Sequence, residues 1–153
     1  MKARTVLATL VGVFAALALY AADSQMGTWK LNESKSKLAP SGAKNSMVMI
    51  SGTGDDIKIT VDGVDWDGKT FHSEWTGKYD GKDYPVKGDP LGDSRSYTKV
   101  DANTLSFAGK KAGKAIFTGT SVVSADGKTR TVTASATDAQ GKTYSTTSVY
   151  DKQ

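Results

Sequence analysis

Three dipeptides of one kind, Asp67-Gly68, Asp80-Gly81 and Asp126-Gly127, each followed by Lys, punctuate runs of alternating side chains. Asp-Gly tolerates the positive φ that both central residues of a two-residue hairpin turn require, so each pair is expected to close a tight antiparallel hairpin. Gln140-Gly141-Lys142 is a variant of the same signal. With turns at the spacing of a sandwich or barrel, the chain divides into Gly27 to Leu31, Ser46 to Ser51, Asp56 to Asp62, Lys69 to Gly77, Lys82 to Val86, Ser94 to Val100, Thr104 to Ala108, Lys114 to Ser124, Thr129 to Thr137 and Thr143 to Asp151. That makes about ten strands. The crossing from Glu33 to Asn45 carries Pro40, Gly42 and several Ser without a helical period, and is expected to be a loop with at most one helical turn. The expected class is all-β, a single up-and-down barrel of antiparallel strands.

The first 21 residues stand outside that pattern. Lys2 and Arg4 precede an apolar run from Val6 to Leu19, and the small residues Ala18, Ala21 and Ala22 offer cleavage points, which together read as a secretory leader. Cleavage is expected after Ala21, with Ala18 as the alternative; the run is shorter than the roughly 20 residues of a membrane span, which disfavours an uncleaved anchor. Residues 22–153 then form one domain, exported to the periplasm or secreted. Cutting 21 residues from 153 leaves 132, and with no Cys in the chain neither a disulfide framework nor a lipid-modified N-terminal Cys is available. Stability must come from packing. The net charge of +4 falls to about +2 once Lys2 and Arg4 leave, and the remaining charges alternate in sign. Nucleic acid is not an expected partner, because phosphate-backbone affinity needs clustered cations.

The two ends of the mature chain carry its most specific words. In Gly27-Thr28-Trp29-Lys30-Leu31, Trp29 and Leu31 share one strand face and Thr28 and Lys30 the other. Trp29 is expected to plug the base of a barrel, with a cation laid over its indole. Lys152 and Arg130 are the candidates for that cation. The opening resembles the G-x-W start of the lipocalins and the similar G-T-W-K-L start of the intracellular fatty-acid-binding proteins. Val149-Tyr150-Asp151-Lys152 is similar to the last strand of the second group, and the mature chain as a whole resembles small exported bacterial lipocalin-like proteins. The resemblance implies a calycin barrel whose first and last strands pair and whose interior holds a small apolar or amphipathic ligand. It also exposes a departure. The fatty-acid-binding proteins clamp a carboxylate with two Arg, and the corresponding positions here are Ser148 and, approximately, Val122. Arg130 or Arg95 would replace them only if its strand faces inward. The family's two-helix lid has no room between Glu33 and Asn45.

Other motifs carry less. Gly63-Val64-Asp65-Trp66-Asp67-Gly68-Lys69-Thr70 has the spacing of a phosphate-binding P-loop, but an alternating aromatic strand follows where a helix N-terminus is needed, and acidic residues inside the loop repel phosphate. It reads as a hairpin turn. His72 is the only His, so zinc sites built from His and Cys cannot assemble in one chain. His72 and Glu74 share a strand face and form a possible acid–base pair for a lipocalin-like lyase or isomerase. The alternative, which the aromatic residues favour, turns Phe71, Ser73 and Trp75 inward and leaves His72 and Glu74 in solvent. The aspartates from Asp55 to Asp67 lack the spacing of an EF-hand, and no metal or cofactor is expected.

Same-parity positions give the expected interior: Trp29, Leu31, Met47, Met49, Ile57, Ile59, Val61, Tyr97, Leu105, Phe107, Phe117, Val132 and Tyr150. Among these, Met47, Met49, Tyr97, Phe107, Phe117 and Tyr150, with Arg130, are the candidate ligand contacts, the two flexible Met suiting an adaptable wall. The inward parity of Thr129 to Thr137 is open, since Val132, Ala134 and Ala136 face one way and hydroxyl residues the other. A membrane-inserted barrel is disfavoured by the polar face of Lys58, Thr60 and Asp62, because lipid-facing positions must be apolar. The expected function is therefore that of a monomeric carrier barrel. Its alternatives are the His72–Glu74 enzyme and a filled-core extracytoplasmic interaction or stress protein that works through its outer surface.

Overall fold

The computed structural model describes residues 23–39, 42–137 and 141–153. The expected leader, Met1 to Ala21, lies outside them, as do Pro40, Ser41 and Gln140. Ten strands follow one another: β1 (Gly27–Leu31), β2 (Lys44–Thr53), β3 (Asp56–Val64), β4 (Thr70–Gly77), β5 (Tyr84–Lys87), β6 (Ser94–Lys99), β7 (Thr104–Lys111), β8 (Lys114–Val123), β9 (Thr129–Thr137) and β10 (Thr143–Lys152). Each pairs antiparallel with the next, and β1 also pairs with β10, closing the sheet into an up-and-down barrel with no free edge. The closing register sets Trp29 opposite Lys152 and Leu31 opposite Tyr150. Between β1 and β2 a 3-10 turn, Glu33–Lys35, is capped by the Asn32 side chain.

The turns differ from the expected two-residue hairpins. Gly68, Gly81 and Gly127 have positive φ but the aspartates before them do not. At Asp65–Lys69 and Ser124–Thr129 a hydrogen-bonded four-residue turn ends on a left-handed Gly, Gly68 or Gly127, whose N–H closes it, the longer loop built on a type I turn. Asp80-Gly81 lies in the longer loop that joins β4 to β5 and does not form a two-residue turn there. It reaches to β6, where Asp80 bridges Thr98 and the Gly81 N–H donates to the Tyr97 carbonyl. The two-residue turn with both φ positive is Ala112-Gly113, and the Asp93 carboxylate holds the Ala112 N–H at 2.8 Å.

The phase of β2 also departs from the parity reading. Val48 and Ile50 are buried, while Met47 is only partly covered and Met49 is 50% exposed. Met47 and Met49, expected on the inner wall, thus belong to the outer face. A register shift between Asn45 and Met47 reverses the alternation, because a bulge places one extra residue on one strand. Asn45, ahead of the bulge, lines the interior. In β9 the open question resolves with Arg130, Val132, Ala134 and Ala136 lining the interior. In β4 Ser73 and Trp75 are buried and His72 and Glu74 exposed.

Dense packing occupies one end of the barrel. Trp29, Trp75, Tyr97, Leu105, Ile50, Ile57, Ile59, Val123 and Tyr150 are buried there and nearby, with Trp75 and Tyr97 edge to face at 4.8 Å. The segment before β1 crosses this end and seals it. Its Gln25 is 1% exposed, and its carbonyl accepts the Trp29 indole N–H at 2.8 Å.

Candidate functional site

The other end of the barrel is hollow. A cavity of about 450 Å³ extends inward from a mouth formed by Ala39, Gly42 and Ala43 on one side and Asp89, Pro90 and Leu91 on the other, and Leu91 and Tyr144 at its rim are exposed. Its walls are Phe107, Ile116 and Phe117 of β7 and β8, Val132, Ala134 and Ala136 of β9, and Thr146 and Ser148 of β10. Small residues create the space. Phe107 lies opposite Gly119 and Phe117 opposite Gly109 in the β7–β8 register, and each ring covers its glycine so closely that a Cβ on Gly109 would fall 2.1 Å from Cζ of Phe117. The rings therefore lie along the wall and leave the centre open.

Two arginines enter this interior, from strands that the fatty-acid-binding proteins do not use for their clamp. Arg95, on β6, is paired with the Asp89 carboxylate, which is 2% exposed, and stacks over Phe117 at 5.1 Å. Burial acts to lower the Arg95 pKa, but Tyr97 and Asp89 more than offset it and the net shift is upward. Arg130, on β9, lies deeper. Its Nε donates to Ser121 Oγ at 2.8 Å and to Gln25 Oε1 at 3.2 Å, and its guanidinium sits over Tyr150 at 5.7 Å. Here burial wins and the pKa falls. Ser121 donates in turn to Gln25 Oε1 at 3.0 Å, and Gln25 Nε2 donates to the Asn103 carbonyl at 2.9 Å. Every polar partner of this latch is neutral.

Of the residues singled out by sequence, Tyr97, Phe107, Phe117, Arg130 and Tyr150 meet around the cavity. Met47 and Met49 do not. At the base, Lys152 takes the place of the cation on Trp29, its Nζ 5.0 Å from the ring centre, while Arg130 serves Tyr150 instead. The two positions of the family clamp separate: Ser148 lines the cavity and Val122 is exposed on the outside. Gln25, Asp89 and Ser121 were invisible to pattern reading. Gln25 reads as linker before the first strand, and Asp89 reads as one more turn aspartate.

His72 sits on the outer face. Its Nδ1 is 2.6 Å from Asp62 and its Nε2 3.4 Å from Glu74, which also takes a hydrogen bond from Lys58 at 3.2 Å. These side chains cannot reach a molecule inside the barrel. Hydrogen bonds to Asp62 and then Glu74 raise the His72 pKa above its ordinary 6.5, and Lys58 first and His72 second lower that of Glu74. Because the raised value belongs to the folded state, the pairing adds stability below the unfolded His pKa and loses it as pH rises through the folded one. The contribution is small for so exposed a group. An NMR titration should place the His72 midpoint above 6.5, and Asp62→Asn should bring it down; a wild-type midpoint at or below that value would show the contact to be absent in solution.

No protein-family model matches the chain, and no curated protein matches it. Among solved structures, one described as EF1p2_mFAP2b bound to DFHBI superimposes with a TM-score of 0.51 at 13% identity, over 87% of this chain and 97% of its own. A redesigned beta barrel, mFAP1, bound to DFHBI, gives a TM-score of 0.47 at 14% identity, over 86% of this chain and 100% of its own. At such identities the first likeness is one of fold, and it agrees with the strand order: this chain is a closed antiparallel β-barrel, with ten strands among the described residues.

Proposed function

We propose that this protein is an exported, monomeric calycin-type barrel that carries a small apolar or amphipathic molecule in its cavity. The observation that supports it most is the hollow of about 450 Å³ walled by Phe107, Ile116, Phe117, Val132 and Ala134, within the roughly 300–1,000 Å³ of small-molecule sites. A filled-core protein would carry larger side chains where Gly109, Gly119, Ala134 and Ala136 stand. An enzyme using His72 and Glu74 would need them inside, and they are outside. The polar outer face of β3 and β4, with Lys58, Asp62, His72 and Glu74, supports a barrel surrounded by water. A barrel similar in fold was solved bound to DFHBI, a precedent for the architecture and not for the ligand. The leader read from Met1 to Ala21 supports export.

The test is uptake of a neutral apolar dye. Purified protein, stripped of co-purified lipid by unfolding and refolding, is titrated with Nile red. Saturable, blue-shifted emission near one dye per chain is expected. Its absence would favour the filled core. The mass of the chain recovered outside the cytoplasm tests export: a chain starting at Ala22, or at Leu19 if cleavage follows Ala18, is expected, and an intact leader would overturn it.

A further inference from the structure

Among the described residues, three ionisable groups other than tyrosine line the cavity, Asp89, Arg95 and Arg130. Two guanidinium cations against one carboxylate leave one positive charge. Since Asp89 pairs with Arg95, that charge resides on Arg130. We propose that the guest is a monoanionic amphiphile, its carboxylate or similar head on Arg130 at the closed end and its apolar body along Phe107, Phe117 and Val132 toward the mouth. This deepens, and rests on, the carrier function proposed above.

Arg130 is 5% exposed, and none of its ion-pairing distances is met by an Asp or Glu among the described residues. All its hydrogen bonds there leave from Nε, so its terminal nitrogens are without a partner on the cavity side. A guanidinium has five donors and stays charged at neutral pH, so burial without an anion is unfavourable. The nearby phenols do not supply one. Burial pushes the pKa of Tyr79 up, and that of Tyr150 likewise despite the lowering effect of Arg130. Tyr150 thereby remains protonated at neutral pH and carries no negative charge. The acceptors that hold Nε, Gln25 and Ser121, are neutral and would be satisfied by an uncharged donor, so the latch alone does not require a cation. An anionic head would meet charge-assisted, bidentate bonds from Arg130. One net positive charge favours a single negative charge over two. The direction follows from the walls: Arg130 and Tyr150 are near the sealed base, while the mouth is lined by Leu91, Pro90 and Ala39.

Three probes of equal chain length decide it: decanoate, 1-decanol and decyltrimethylammonium, each used to displace Nile red at neutral pH. Decanoate should displace the dye at a concentration about 10-fold or more below the alcohol, equivalent to about 1.4 kcal/mol, and the cation should be the weakest. In Arg130→Gln the advantage of the acid over the alcohol should shrink to less than about 2-fold, and Arg130→Lys should restore part of it. An Arg130 that only latches Gln25 would show equal displacement by acid and alcohol in the wild type, which would overturn the anion site yet leave the carrier function standing. An acid advantage that survives Arg130→Gln would also overturn it. Failure of the dye itself to bind would remove the carrier function and this inference with it. Should Arg130→Gln fail to fold, the wild-type ratio of the three probes still decides.

Discussion

Trp29→Ala should destabilise the barrel by about 3–5 kcal/mol, the range for deleting a buried large aromatic. The indole is 0% exposed and joins three parts of the chain. Its ring packs in the core, its N–H holds the Gln25 carbonyl at 2.8 Å, and Lys152 of β10 lies on its face at 5.0 Å. Alanine removes the packing and leaves a cavity where β1 closes the barrel on β2 and β10. It also leaves the Gln25 carbonyl without its donor, which loosens the segment that seals the base. The effect should appear as a lower midpoint in guanidinium unfolding with the slope unchanged. Trp29→Phe should recover most of the packing but not the hydrogen bond. A loss below about 1 kcal/mol would mean that the indole is not the plug.

Gly109→Ala should abolish most ligand uptake in a protein that still folds. The new Cβ would lie 2.1 Å from Cζ and 2.3 Å from Cε1 of Phe117. Those atoms are the far end of a side chain, so the ring moves rather than the backbone, and the open space beside it is the cavity. The overpacking should cost about 1–3 kcal/mol of stability, while Nile red affinity should fall about 10-fold or more, equivalent to about 1.4 kcal/mol. Gly119 is a poorer position for this test, because a Cβ there also meets the Thr133 carbonyl at 2.4 Å and would strain β9. Unchanged dye affinity in Gly109→Ala, with the fold intact, would show that the Phe117 ring does not set the width of the cavity.

These two positions also mark what was legible in the chain and what was not. The strands and their number follow from local alternation and turn spacing, whereas the pairing of β1 with β10 was implied only by the resemblance of the two ends of the chain to the lipocalins and fatty-acid-binding proteins. Turn type was less legible. Asp-Gly accommodates several loop lengths, and Asp80-Gly81 was drawn across to β6 by the Gly81 hydrogen bond to the Tyr97 carbonyl and the Asp80–Thr98 bridge, which no local pattern contains. Strand phase was readable in β4, where bulky Trp75 alternates with charged Glu74. It was not readable in β2, where Met47, Val48, Met49 and Ile50 are all apolar and a bulge reversed the count.

The sequence by itself determined a small all-β chain without disulfides, its order of strands, and the aromatic and basic residues available to a binding site, since these depend on composition and on neighbours along the chain. Only the tertiary structure decided whether the barrel is filled or hollow, because that depends on which residue faces which across β7 and β8: each Phe met a Gly, and the rings lay flat. Only the closed sheet placed Gln25 against Ser121 and Arg130, 96 and 105 residues away in the chain. The charge balance of the interior was decided there as well, since Asp89 reads as a turn residue until the fold buries it against Arg95 and leaves Arg130 as the cation without an anion among the described residues.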